Sequence, residues 1–204
     1  AIGINSVAMG LYNEASGDTS FAAGKSNKSI GSGSASFGDT NTNKGDNAFV
    51  MGSGNTVVVG STNSFTGGGA NTMSGNYAFT MGQQNTVSGA SAGAFGLGNT
   101  SSGERSIAIG YYNTASGGNS FAGGNNSKAS ADSSIALGNT SKATGRASTA
   151  LGEFNEANGY SSVALGNSSI ANGKFSVATG VGAKTSSIMQ TAVGSYNYVL
   201  DHSE

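Results

Sequence analysis

Acid–base and nucleophilic catalysis need converging polar side chains with tuned pKa values, and this chain of 204 residues supplies few of them. It has no cysteine, and its one histidine is His202, in the last few residues. A thiol site and a His-rich metal site are excluded on that count, and a Ser-His-Asp triad would have to borrow the tail. The carboxylates are sparse and dispersed, with Glu104 and Glu153 standing far apart. Gly67-Gly68-Gly69 is glycine-rich but lacks the Lys-Ser/Thr and the strand-to-helix context of a phosphate loop. The regular Asp rank of calcium-binding nonapeptide repeats is also missing. Neither catalysis, nor a metal, nor a cofactor is expected.

The polar residues that do recur are Asn and Thr, and their spacing comes from a repeat. One glycine returns every fourteen residues, at Gly10, Gly24, Gly38 and Gly52, and again from Gly68 through Gly82, Gly96, Gly110, Gly124, Gly138, Gly152, Gly166 and Gly180 to Gly194. The step from Gly52 to Gly68 is sixteen, so two residues are inserted there. Taking each anchor glycine as position 0, Asn fills position +3 in ten of fourteen copies. Thr follows it at Thr42, Thr56, Thr72, Thr86, Thr100 and Thr114. Asn tolerates turn conformations and stacks in ladders, which favours a structural role. The Thr residues are the weak candidates for an outward ligand-binding array.

A second glycine rank lies at +7, including Gly17, Gly31, Gly75 and Gly117. Two glycine ranks half a period apart predict two tight turns per repeat, with glycine supplying positive φ. Only a short strand fits between them, so the unit reads as one flattened coil of a β-solenoid. The strand before the anchor has strict period two. Large apolar residues stand at −3 and −1, as in Ile107 and Ile109 or Val163 and Leu165, and small ones at −4 and −2, as in Ser106 and Ala108. The large face is expected to be the interior. Seven of nine phenylalanines lie there, and a large residue is matched by a small one, as Phe65 by Gly67 and Phe121 by Gly123. Phe49 with Met51 and Phe79 with Met81 depart from this, suggesting a locally wider interior. The small face is then expected outside, packed against neighbouring chains around a symmetry axis. Its interface candidates are Ala8, Ala22, Ala94, Ala108, Ala122, Ala136, Ala150, Ala164, Ala178 and Ala192.

Composition agrees with a repetitive β structure: 35 Gly, no Pro, and charged residues at 9%. The net charge of −1 offers nothing to nucleic acid or to an anionic membrane. No apolar run is long enough to span a bilayer. From Asn47 to Gly103 there is no charged residue at all. Residues 1–195 are expected to form one stack of about fourteen 14-residue coils, on the order of 65 Å long at strand spacing. Residues 196–204 are expected to be an irregular exit segment. The chain opens in mid-repeat, which points to a fragment of a longer protein.

Asn5-Ser6-Val7-Ala8-Met9-Gly10, Arg105-Ser106-Ile107-Ala108-Ile109-Gly110 and Ser161-Ser162-Val163-Ala164-Leu165-Gly166 resemble the head-repeat motif of the trimeric autotransporter adhesins, the family of the Yersinia adhesin YadA. Motif, period and glycine phase agree over the coils from residue 1 to about 195. The resemblance implies an all-β, left-handed parallel β-roll assembled as a homotrimer. It implies display on a Gram-negative surface, with outer-membrane anchoring through regions absent from this sequence. It also implies binding of host extracellular-matrix proteins of the collagen, fibronectin or laminin class, or autoaggregation. An ice-binding solenoid using the Thr rank and a purely structural spacer are the alternatives. A solenoid acyltransferase would need a hexapeptide period and a histidine within the coils.

Overall fold

The computed structural model describes residues 1–198, and every regular element among them is a β-strand. Two strand lengths alternate. A five-residue strand runs from −3 to +1 and a two-residue strand follows at +4 and +5, as in Ile107–Tyr111 and Thr114–Ala115. The chain forms two compact units, residues 1–105 and 106–204. The first holds seven long strands, from Val7–Leu11 to Gly93–Leu97, and seven short ones, from Glu14–Ala15 to Thr100–Ser101. The second holds seven long strands, from Ile107–Tyr111 to Thr191–Ser195, and six short ones, from Thr114–Ala115 to Lys184–Thr185.

Within each unit a strand pairs in parallel with its equivalent one coil on, so like residues stack on like. Val7 stands beside Phe21 and Gly10 beside Gly24; Ala122 stands beside Ala136 and Gly124 beside Gly138. This is the parallel β-solenoid expected, with about fourteen turns in all. The insertion does not disturb the register: Thr56 still pairs with Thr42 and Thr72, and Phe65 with Phe49 and Phe79. The extra residues loop outward instead, leaving Val59 76% exposed and Ser61 buried. The register also runs on past Ser195, since Tyr198 makes a parallel bridge with Lys184. The rest of the expected exit segment lies outside the described residues.

The two faces of the long strand are the reverse of the sequence expectation. Ala22, Ala94, Ala108, Ala122, Ala136, Ala150, Ala164, Ala178 and Ala192 are completely buried inside their own coils, and Ala8 is half-buried in the first coil. They face position +5, where Ala115, Ala129, Ala143, Ala157 and Ala171 are also completely buried. None of these alanines can form an intersubunit surface. The physical cause is the thinness of the coil. Only two residues, such as Tyr112 and Asn113, join each long strand to its short one, so the sheets lie close together, and in the second unit alanines, serines and Thr185 fill the space between them. The large residues therefore point outward, with Val7, Met51 and Ile109 each more than 40% exposed. The interior does widen near the insertion, through different residues: Val50, Val57, Met73 and Val87.

The glycines also act differently at their two ranks. Gly110 has φ +113, and a Cβ there would run into the carbonyl oxygen of Gly124 one coil on. Gly17 has no positive φ; its side-chain space is taken by the backbone carbonyl of Gly31. The second rank therefore permits close stacking and does not supply turn dihedrals. The left-handed turn positions fall instead at +2 and −5, occupied by residues such as Tyr12, Asn47, Tyr112 and Phe175.

Enlarging the closed interior should damage the fold itself. Ala164→Leu is expected to destabilise the isolated chain by about 1–3 kcal/mol, whereas Val163→Leu on the outer face should stay within about 0.5 kcal/mol. Chemical unfolding followed by far-UV circular dichroism reads both. Unaltered stability for Ala164→Leu would put the small face outside.

Candidate interaction surfaces

The outer face of the long-strand sheet is apolar in both units but differently built. In the first unit six phenylalanines stack in sequence: Phe21, Phe37, Phe49, Phe65, Phe79 and Phe95. Their successive ring centroids lie 4.7 to 5.6 Å apart. They step between −3 and −1, and the small partner makes room for the ring. A Cβ on Gly67 would meet Phe65 at 3.1 Å, and one on Gly93 would meet Phe95 at 3.2 Å. The large–small matching seen in the sequence is thus packing on an outer surface. In the second unit the same positions are mostly aliphatic, with Ile107, Ile109, Ile135, Leu137, Leu151, Val163 and Leu165. Position +1, at the edge of this face, is largely polar: Lys25, Asp39, Gln83, Asn125, Asn139, Glu153 and Asn167. An apolar band of this extent with a polar border is the composition of an interface.

The Asn rank is a buried ladder. Asn71 donates its Nδ2–H groups to the Oδ1 of Asn55 and to the carbonyls of Gly67 and Gly82, at 2.9 to 3.0 Å. Its own Oδ1 accepts from the backbone N–H of Asn85 at 2.9 Å and from that residue's Nδ2 at 3.1 Å. One side chain thus ties its own coil to both neighbours and satisfies turn carbonyls that would otherwise be orphaned. The ladder crosses the insertion unbroken, from Asn55 to Asn71. In the second unit Ser127, Ser141 and Ser169 take the same place and reach the next anchor carbonyl with their hydroxyls. These residues are unavailable as a ligand surface.

The Thr residues point outward from the short-strand sheet while their neighbours at +5 point in. Thr42, Thr56, Thr72, Thr86 and Thr100 form one file in the first unit, with Thr72 and Thr86 exposed and the others half-buried. Thr114 begins the corresponding file of the second unit, where Lys128, Lys142 and Glu156 follow. Lys142 and Glu156 pair at 3.0 Å, but both are substantially exposed, so this contact stabilises little. The described residues contain no group of three or more His, Cys, Asp or Glu able to hold a metal. His202 lies outside the described residues. Sequence reasoning missed the outer apolar face because it assigned those residues to the interior. The signal was present in the predominance of Ala and Ser in the small ranks, since a thin interior favours small side chains.

Removing a rung should be costly. Asn71→Ala strips the partners from the buried groups of Asn55, Asn85, Gly67 and Gly82, and is expected to destabilise by about 3 kcal/mol. Asn71→Ser, the residue used by the second unit, should cost about 1 kcal/mol. Equal denaturation midpoints for the two variants would contradict a ladder role.

The YadA head domain repeat (2 copies) matches residues 1–27, 101–127, 129–153 and 157–183. No curated protein matches the chain. The matched segments together make up just over half of the sequence. The chain belongs to the YadA head domain family, a family of adhesin-type surface domains.

Proposed function

We propose that the chain is the head of a trimeric surface adhesin, with residues 1–195 forming the head. The observation that carries this is the exposed apolar outer face of the long-strand sheet, bordered by polar residues at +1. Left in water, that face is a liability. Three copies arranged around an axis would cover it with the same face of their neighbours, and YadA-like heads are trimers. The Ala ranks have no part in this assembly, because they are closed inside each chain.

Covering that face leaves the short-strand sheet turned to solvent. On the first unit it presents the Thr file and no charge between Asn47 and Gly103. We place the contact with host matrix proteins of the collagen, fibronectin or laminin class there, with autoaggregation as a second outcome of the same display. Thr42, Thr56, Thr72, Thr86 and Thr100 would offer many weak contacts, and three chains would add them as avidity. Display at a bacterial surface, through outer-membrane anchoring outside this sequence, fits that role. No catalysis enters this function.

Sedimentation equilibrium is expected to give three times the chain mass for the native protein and a single chain for Leu165→Glu, with both retaining β-sheet circular dichroism. Native protein coated against immobilised collagen, fibronectin and laminin should bind at least one. Thr72→Lys with Thr86→Lys should weaken that binding about tenfold or more without changing the mass. A monomeric native protein would sink the assembly, and unaltered binding by the double Lys variant would remove the Thr file from the contact.

A further inference from the structure

Position +2 of each coil holds the left-handed backbone conformation, which favours Gly and Asn and disfavours bulky side chains. In the second unit it nevertheless carries Tyr112 at φ 52, Phe154 at φ 55 and Tyr196 at φ 51. All three rings are exposed. Backbone preference does not select them, and burial does not reward them. They stand three coils apart in one file, so that the backbones that carry them are separated by about 14 Å of strand spacing. Tyr111 packs edge-on against Tyr112, with centroids 4.5 Å apart and planes at 89°. The ring of Tyr196 lies against the backbone of Gly182, where any Cβ would collide with it.

Between the rings, the adjoining file at +1 carries an ordered polar chain. Asn139, Glu153 and Asn167 are register partners on consecutive strands. Asn139 Nδ2 donates to one carboxylate oxygen of Glu153 at 3.1 Å, and Asn167 Nδ2 donates to the other at 3.0 Å. Each amide oxygen is fixed in turn by a hydroxyl, Thr140 Oγ1 on Asn139 at 3.1 Å and Ser168 Oγ on Asn167 at 2.8 Å. This leaves each amide a second N–H and each carboxylate oxygen a further lone pair. The side chains are half-buried and held in place before any ligand arrives.

We infer that this strip of the second unit, from Tyr112 to Tyr196, binds an extended neutral oligosaccharide lying along the coils. Exposed aromatic rings suit the C–H faces of pyranoses. Fixed donors and acceptors side by side suit vicinal hydroxyls, which both donate and accept. The three-coil spacing of the ring-bearing residues suits a trisaccharide stretch of an extended chain. The Glu153 carboxylate excludes sulfated, phosphorylated and uronic acid chains by like-charge repulsion. Position +1 is the polar border of the apolar face, so the strip stays open when that face is covered. The site is independent of the matrix-protein contact on the short-strand sheet.

The test uses an array of neutral β-linked di- to hexasaccharides, plain and N-acetylated, with sulfated and uronate counterparts, followed by titration calorimetry with the tightest hexasaccharide. Native protein should bind neutral hexasaccharides better than disaccharides and reject the anionic set. Phe154→Asn and Tyr112→Asn suit the local backbone, so the fold survives them; each should weaken binding about tenfold. Glu153→Gln should admit anionic chains that the native protein rejects. Native protein that retains no neutral oligosaccharide overturns the inference, as does native-like affinity in Phe154→Asn. Loss of matrix-protein binding alone would leave it standing.

Discussion

The distance between the two sheets of a coil governs the rest of the structure. Joined by two-residue links such as Tyr112-Asn113, the sheets close on a narrow space, filled by Ala, Ser and Thr185 in the second unit and by residues as large as Val50, Val57 and Met73 near the insertion in the first. Ala108, Ala115, Ala122 and Ala129 fill it in the second unit without a void-filling large residue among them. Such an interior buries little apolar area per coil. Stability must come largely from in-register backbone ladders, from the Asn ladder and from repetition. The anchor glycines serve the same constraint, since a Cβ on Gly110 would occupy the next coil's carbonyl.

The large apolar residues at −3 and −1 are turned out, so the long-strand sheet carries an apolar outer face. The proposed assembly would bury, between copies, apolar surface that ordinary domains bury within one chain. The two units treat this surface differently. Phe21 through Phe95 stack as rings in the first, and Ile135, Leu137, Leu151 and Leu165 give an aliphatic surface in the second. Their opposite faces also diverge, from the uncharged Thr file to Lys142 and Glu156. One repeat thus yields surfaces of different chemistry by changing residues that never touch the interior.

Period, strand placement, the Asn ladder and the outward Thr file were legible in the sequence because each follows from spacing alone. Which face of the strand is inside was not. Period two separates two faces without orienting them, and Phe65 beside Gly67 reads as close packing on either side. Orientation required the thickness of the coil, which the two-residue links determine in three dimensions. Nor did composition reveal the left-handed positions, because they hold Tyr112, Phe154 and Met189 as well as Asn47. The aromatic strip was hidden for the same reason: its rings are two positions beyond the anchor, where glycine or asparagine would be expected.

The orientation of the long strand is best tested by thiol labelling, since the native chain has no cysteine. Ala150→Cys and Leu151→Cys place a thiol on adjacent residues with opposite directions. The structure requires the thiol at 150 to resist a maleimide at every protein concentration. The thiol at 151 should react in dilute solution and become protected as copies assemble. A reactive thiol at 150 with a permanently protected one at 151 would contradict the account, because the large residues would then be the interior.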